Sequence, residues 1–132
     1  ELTKSFDVSI NELFLRGEEN FRKLEFAELQ KHILKENTVI AVGGGAVSYK
    51  DSFELLSLKH CIYLKTSKDI LLDRLKDDNS RPLLNVQNKD EVFEEIMLQR
   101  LEKYEALCKS EVVTDNQTIE DNCNQIMEII NV

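Results

Sequence analysis

Three groups of residues in this 132-residue chain have the types and spacing to do chemistry. Gly43-Gly44-Gly45 gathers three of the four glycines directly behind the apolar run Thr38-Val39-Ile40-Ala41-Val42. Glycine there lets backbone N–H groups approach a ligand with no Cβ in the way. Parallel α/β sheets bind ligands beyond the C-terminal ends of their strands. Ala46-Val47 follows instead of Lys-Ser/Thr, so this run is not a P-loop. In Gly17-Glu18-x-x-Phe21-Arg22-x-x-Glu25, Arg22 and Glu25 stand at i and i+3 on one helix face, where pairing would hold the guanidinium still. Taken alone, that is a surface ion pair worth ~0–1 kcal/mol. Arg81-Pro82-Leu83-Leu84 puts a Pro-stiffened cation in a polar loop. A lid carries positive charge onto a phosphate in this way, although a solvated loop arginine is the simpler reading of that residue by itself. Arg74 and Arg100 fall on helical patterns, where the simpler reading is a solvated face.

The elements that must position these residues alternate along the chain. Ser9-Ile10-Asn11-Glu12 reads as a capping box, opening a helix that ends near Gly17. A second helix spans about 18–35, with Phe21, Leu24, Leu29 and Ile33 at helical spacing. The run 38–42 is β-branched without alternation, the signature of a strand buried on both faces. A short helix over about 51–57 leads to a second buried strand, 61–65, and then a helix over about 68–76. Polar residues 77–82 hold the only Pro and read as a loop. A long helix over about 89–107, a short strand over 111–114 and a last helix over about 118–130 complete the chain. That last helix carries Ile119, Cys123, Ile126 and Ile130 on one stripe. Strands separated by helices define an α/β domain with a mainly parallel sheet.

Composition bounds the function. Seventeen basic residues against 25 acidic ones give a net charge of −8, which argues against a nucleic-acid or anionic-membrane surface. Only five of the basic residues are Arg, the side chain suited to forked recognition of carboxylate and phosphate. No apolar run approaches the ~20 residues of a spanning helix, and the N-terminus has no signal pattern. Cys61, Cys108 and Cys123 are odd in number without metal spacing. That usage fits a reducing cytoplasm. His32 and His60 have no ligand-spaced partners, so no metal site is expected.

Taken in order, these features stop being independent. Ser9-Ile10-x-Glu12-Leu13-Phe14, then Gly17-Glu18-x-x-Phe21-Arg22-x-x-Glu25, then Val39-Ile40-Ala41-Val42-Gly43-Gly44-Gly45-Ala46-Val47 follow one another. Arg81-Pro82-Leu83-Leu84, Arg100 with Tyr104, and Thr114-Asp115-Asn116-Gln117 complete the series. In that order and spacing, over essentially the whole chain, the sequence resembles the shikimate kinases. The resemblance implies a three-layer α/β/α fold of the P-loop kinase type with sheet order 2-3-1-4-5. It implies transfer of phosphate from ATP, with magnesium, to the 3-hydroxyl of shikimate on the route to chorismate and the aromatic amino acids. The implied acceptor residues are Arg22 and Arg100 for the carboxylate and Gly44, flanked by Gly43 and Gly45, for the ring hydroxyls. Glu25 would orient Arg22, and Phe14 and Phe21 would line the apolar wall. Arg81 would be the catalytic lid arginine on the phosphates, Arg74 would cover the adenine and Gln117 would contact the base edge. On this reading residues 1–132 form one domain, with substrate-binding helices at about 1–35 and a lid at about 77–88. A monomer is expected.

The chain departs from the family pattern in two places. The family's opening strand with its Gly-x-x-x-x-Gly-Lys-Ser/Thr loop, and the second strand ending in Asp-x-Asp, do not occur among the 132 residues. One residue is also deleted before Gly17. The strands near 38–42, 61–65 and 111–114 then correspond to the third, fourth and fifth. The expectation is an incomplete, inactive portion of a kinase, with the magnesium ligands in the absent part. The alternatives are a non-catalytic binding or regulatory relative, or another small-molecule P-loop kinase such as a gluconate kinase.

Overall fold

The computed structural model describes residues 1–84 and 86–131. Seven helices and two strands occur among them: α1 (Leu2–Phe6), α2 (Ile10–Leu15), α3 (Glu18–Ile33), α4 (Lys50–Ser57), β1 (Ile62–Lys65), α5 (Lys68–Leu75), α6 (Lys89–Leu107), β2 (Ser110–Val113) and α7 (Ile119–Ile129). Single 3₁₀ turns occupy Ala46–Ser48 and Pro82–Leu84. β1 and β2 pair in parallel, with Ile62 opposite Ser110 and Lys65 opposite Val113. Their adjacency is that of a fourth and fifth strand in the order 2-3-1-4-5. Beyond the ladder, Thr114 N–H donates to Lys65 O (2.9 Å), and Ser67 N–H donates to Asp115 Oδ1 (2.9 Å). The C-terminal strand ends are thereby tied together.

Local signals account for the helices. Ser9 Oγ accepts from Glu12 N–H (3.2 Å) and the Glu12 carboxylate accepts from Ser9 N–H (2.7 Å), the reciprocal cap that the spacing predicts. Thr118 and Asp121 repeat it at the start of α7. The main core cluster joins Leu29 and Ile33 of α3, Ala46 and Val47 behind the glycine run, Leu56 of α4 and Leu107 of α6. The glycine run is thus anchored directly in the core by the two residues that follow it.

Three expectations need correction. The segment 38–42 is not part of a sheet, because no backbone among the described residues pairs with it. Val39 is 88% exposed, while Ile40 packs against the core. β1 is not buried on both faces, since Leu64 faces solvent, as does Val113 of β2. The stripe on α7 is largely exposed too, with Ile119 at 84%. Helix α1 was not anticipated. It docks through Ser5, whose hydroxyl donates to Glu28 of α3 (3.2 Å).

The cap on α2 supports Leu13, the fully buried residue beside Phe14. Ser9→Ala should lower stability by about 1 kcal/mol, read as a drop of a few degrees in thermal unfolding. The hydrogen bonds from Ser9 hold the Glu12 carboxyl below its ordinary value. The Glu12 contribution to the cap is therefore present at neutral pH and lost as pH falls through that depressed value. Ser9→Ala keeps the backbone N–H that Glu12 accepts from, so the pH test is Glu12→Ala: its difference from the parent should shrink in acid, and an undiminished difference there would exclude the Glu12 half of the cap.

Candidate acceptor site at the glycine loop

Three elements converge on Gly43-Gly44-Gly45. α3 brings Arg22, only 7% exposed, and α2 brings Phe14. Arg22 Cζ lies 5.6 Å from the Phe14 ring centroid and 5.1 Å from that of Phe21, and the two rings lie 4.5 Å apart in a tilted pair. The aromatic faces offer a desolvated cation partial compensation. The main compensation is Glu25, whose carboxylate meets Arg22 Nη1 at 2.8 Å. Nη2 reaches Glu18 only at 3.5 Å, long for a charged hydrogen bond. That loosely held edge is one that another carboxylate can take. Arg22 Nε is buried without an acceptor among the described residues.

The glycines are required by space rather than by torsion. Gly45 sits at φ −84°, open to any residue. A Cβ added there would lie 2.8 Å from Arg22 Nη1 and nearer still to Cζ and Nη2. A Cβ on Gly43 would stand 3.0 Å from Glu25 Oε2. On Gly44 it would stand 2.9 Å from Tyr104 Oη and 3.8 Å from Arg100 Nη1. Arg22 from α3 and Arg100 from α6 therefore flank successive glycines. Arg100 has no ion pair among the described residues. Two guanidinium groups beside a loop of small residues suit a small, hydroxylated carboxylic acid.

The other sequence-derived residues lie outside this cluster. Arg81 is exposed and its Nε reaches Asp78 Oδ2 at 3.6 Å. The Asp78 carboxyl is held below its ordinary range first by the Ser80 hydroxyl and backbone N–H, and then by Arg81. Arg74 is exposed on α5. Gln117 follows a turn in which Asn116 adopts φ 56°, and its side chain accepts from Gln125. None of these three contacts Arg22 or Arg100. Sequence reasoning assigned no role to Glu18 or Lys89. Glu18 stands at i−4 from Arg22, a spacing that could have revealed it. Lys89 Nζ donates to Leu75 O (2.8 Å) and Asp78 O (2.9 Å). No local pattern announces that double contact.

A helix-rich frame with a small parallel sheet is consistent with the α/β fold class of the P-loop kinases. The shikimate kinase family model matches residues 1–131. Shikimate kinases of Francisella tularensis subsp. holarctica and Francisella philomiragia are 37% identical over 129 and 130 residues, 95% of this chain and 73% of each relative. A shikimate kinase from Acinetobacter baumannii, solved in complex with shikimate, superposes with a TM-score of 0.93 at 26% identity, over 98% of this chain and 74% of that one. The shikimate kinase of Bacteroides thetaiotaomicron gives 0.77 at 28% identity, over 99% of this chain and 80% of that one. The chain belongs to the shikimate kinase family.

The packing ranks the glycines. Gly45→Ala should destabilise by about 1–3 kcal/mol, the range for overpacking, because the guanidinium it meets is held by Glu25. Gly44→Ala should cost less, since the tip of Tyr104 can yield. Denaturant unfolding of both variants tests the order, and a Gly45→Ala protein as stable as the parent would contradict the close approach.

Proposed function

We propose that this chain supplies the shikimate-binding and lid portions of an ATP-dependent shikimate kinase. The observation that carries the reading is the placement of Arg22 beside Gly45 and of Arg100 beside Gly44. The shikimate carboxylate takes the guanidinium groups of Arg22 and Arg100, and Glu25 holds Arg22 in place for it. Backbone N–H groups around Gly44, with Gly43 and Gly45 beside it, meet the ring hydroxyls. Phe14 and Phe21 wall the apolar side of the ring. This divides recognition between charge and shape, as a small polar acid requires.

Transfer joins the 3-hydroxyl oxygen to the γ-phosphorus of ATP as the bond to the β-phosphate oxygen breaks, and the hydroxyl proton leaves to a carboxylate. Such reactions depend on positioning and charge neutralisation more than on covalent help. Arg81, on the lid, brings a cation to the phosphates. Arg74, in the last turn of α5, and Gln117, after β2, take the adenine. Residues 1–132 hold no Gly-Lys-Ser/Thr loop and no Asp-x-Asp, so the phosphate cradle and the proton-accepting carboxylate are not assigned to any residue here. Magnesium does not fit the described residues either. Their one cluster of three possible ligands is Glu1, Glu28 and His32. Glu28 already accepts from Ser5, Lys31 and His32.

The experiment is a pair of substitutions in the full-length gene product. Arg22→Ala and Arg100→Ala should each weaken shikimate binding about 10- to 150-fold, the loss of a charged hydrogen bond, with ATP affinity little changed. Parent-like shikimate affinity in both would remove the carboxylate assignment.

On the same reading, residues 1–132 expressed by themselves transfer no phosphoryl group, because nothing in them aligns ATP with the acceptor. Shikimate-dependent ADP release should be absent from that polypeptide and present in one that also carries a family phosphate loop. Turnover by residues 1–132 alone would overturn the division of labour.

A further inference from the structure

All three carbonyls of the glycine loop are engaged by donors. Ala46 N–H donates to Gly43 O and Ser48 N–H to Gly45 O, each at 3.0 Å. Those two bonds belong to the turn that follows. The middle carbonyl is different: Gly44 O accepts from the Tyr104 hydroxyl at 2.7 Å, a side chain sixty residues away on α6. A trans peptide points its C=O and the next N–H in opposite directions. Fixing Gly43 O and Gly44 O therefore fixes the N–H groups of Gly44 and Gly45. Among the described residues neither of these N–H groups has a protein acceptor.

Tyr104 is built for this contact. It stands one helical turn after Arg100, on the same face of α6. Its ring lies against Tyr63 of β1, centroids 5.0 Å apart at 31°. Its hydroxyl occupies the space that a Gly44 Cβ would press on, at 2.9 Å. Loop, helix and strand are thus joined through one phenol.

We propose that Tyr104 is a positioning residue for the acceptor site: by holding Gly44 O toward α6, it keeps the Gly44-Gly45 peptide turned so that Gly45 N–H stays available to a polar group of the bound acid beside Arg22. The proposal rests on reading the loop and its two arginines as the shikimate site. The hydroxyl acts through the backbone and touches neither the acceptor nor the phosphate. Its effect falls on acceptor affinity rather than on the transfer step.

Tyr104→Phe in the full-length gene product is the test, because it deletes the hydroxyl and keeps the ring against Tyr63. The KM for shikimate should rise about three- to tenfold, the effect of one neutral hydrogen bond. The kcat at saturating shikimate and the KM for ATP should stay near the parent values, and the thermal midpoint should fall by no more than the few degrees that one hydrogen bond is worth. Tyr104→Ala should raise the shikimate KM further and also lower the thermal midpoint. A parent-like shikimate KM in Tyr104→Phe, alongside a raised one in Arg22→Ala, overturns the role of Tyr104 and leaves the site reading standing. A parent-like KM in Tyr104→Phe, Arg22→Ala and Arg100→Ala alike overturns both. A Tyr104→Phe protein that loses stability and weakens for ATP and shikimate together shows general packing, which also overturns the proposal.

Discussion

Burying a guanidinium is costly unless charge and packing are supplied around it, and at Arg22 the surroundings follow from that requirement. Glu25 is placed one turn along the same helix, so the ion pair is set by α3 itself and needs no distant partner. Phe14 arrives from α2, whose start is fastened by the Ser9 and Glu12 cap. The opposite side of the guanidinium is closed by backbone at Gly45, where no side chain fits. A cation held this way is already oriented, so little of its conformational entropy would be lost if a carboxylate bound there. The loose Glu18 contact leaves one edge of the fork exchangeable.

The glycine loop is the meeting point of parts far apart in sequence. Its continuation, Ala46-Val47, is core. Its flanks are Arg22 from α3 and Arg100 with Tyr104 from α6. Helix α6 therefore carries two jobs on one face, a charge beside the loop and a hydrogen bond to it. Burial pushes the Tyr63 phenol upward, so Tyr63 meets Tyr104 as a neutral ring at physiological pH.

What could be read from sequence was whatever is decided locally. The bounds of α6, Lys89–Leu107, agree with the periodic pattern, and the cap of α2 is spelled out by Ser9 and Glu12. Among the described residues the run 38–42 forms no ladder, for the complementary reason: the strands that the family order sets beside it do not occur among the 132 residues. β-branched residues state a preference for extended backbone, but a strand exists only where another backbone pairs with it. The exposed stripe on α7 is the same lesson, since periodicity marks an apolar face and cannot say what meets it. At the glycine loop the residues were legible and the reason was not. Backbone freedom and N–H access suggested themselves from the sequence, whereas the decisive fact is a guanidinium delivered from twenty-three residues upstream.

Lys89 has a consequence for how this architecture tolerates change. Its ammonium holds two carbonyls, at the end of α5 and at the start of the polar loop, from its own place at the head of α6. The end of α5, the carbonyl of Asp78 and the head of α6 are thereby tied together whatever the length of chain between Asp78 and Lys89. For such a loop the closure entropy grows only logarithmically, by about 0.6 kcal/mol for each doubling. Insertions in its exposed part, 79–81, can be absorbed without disturbing α6, whereas the turn at Pro82–Leu84 is fixed by the buried Leu84. That exposed stretch is in this sense a separately adjustable module, free to diverge while the glycine loop and its two arginines stay as they are.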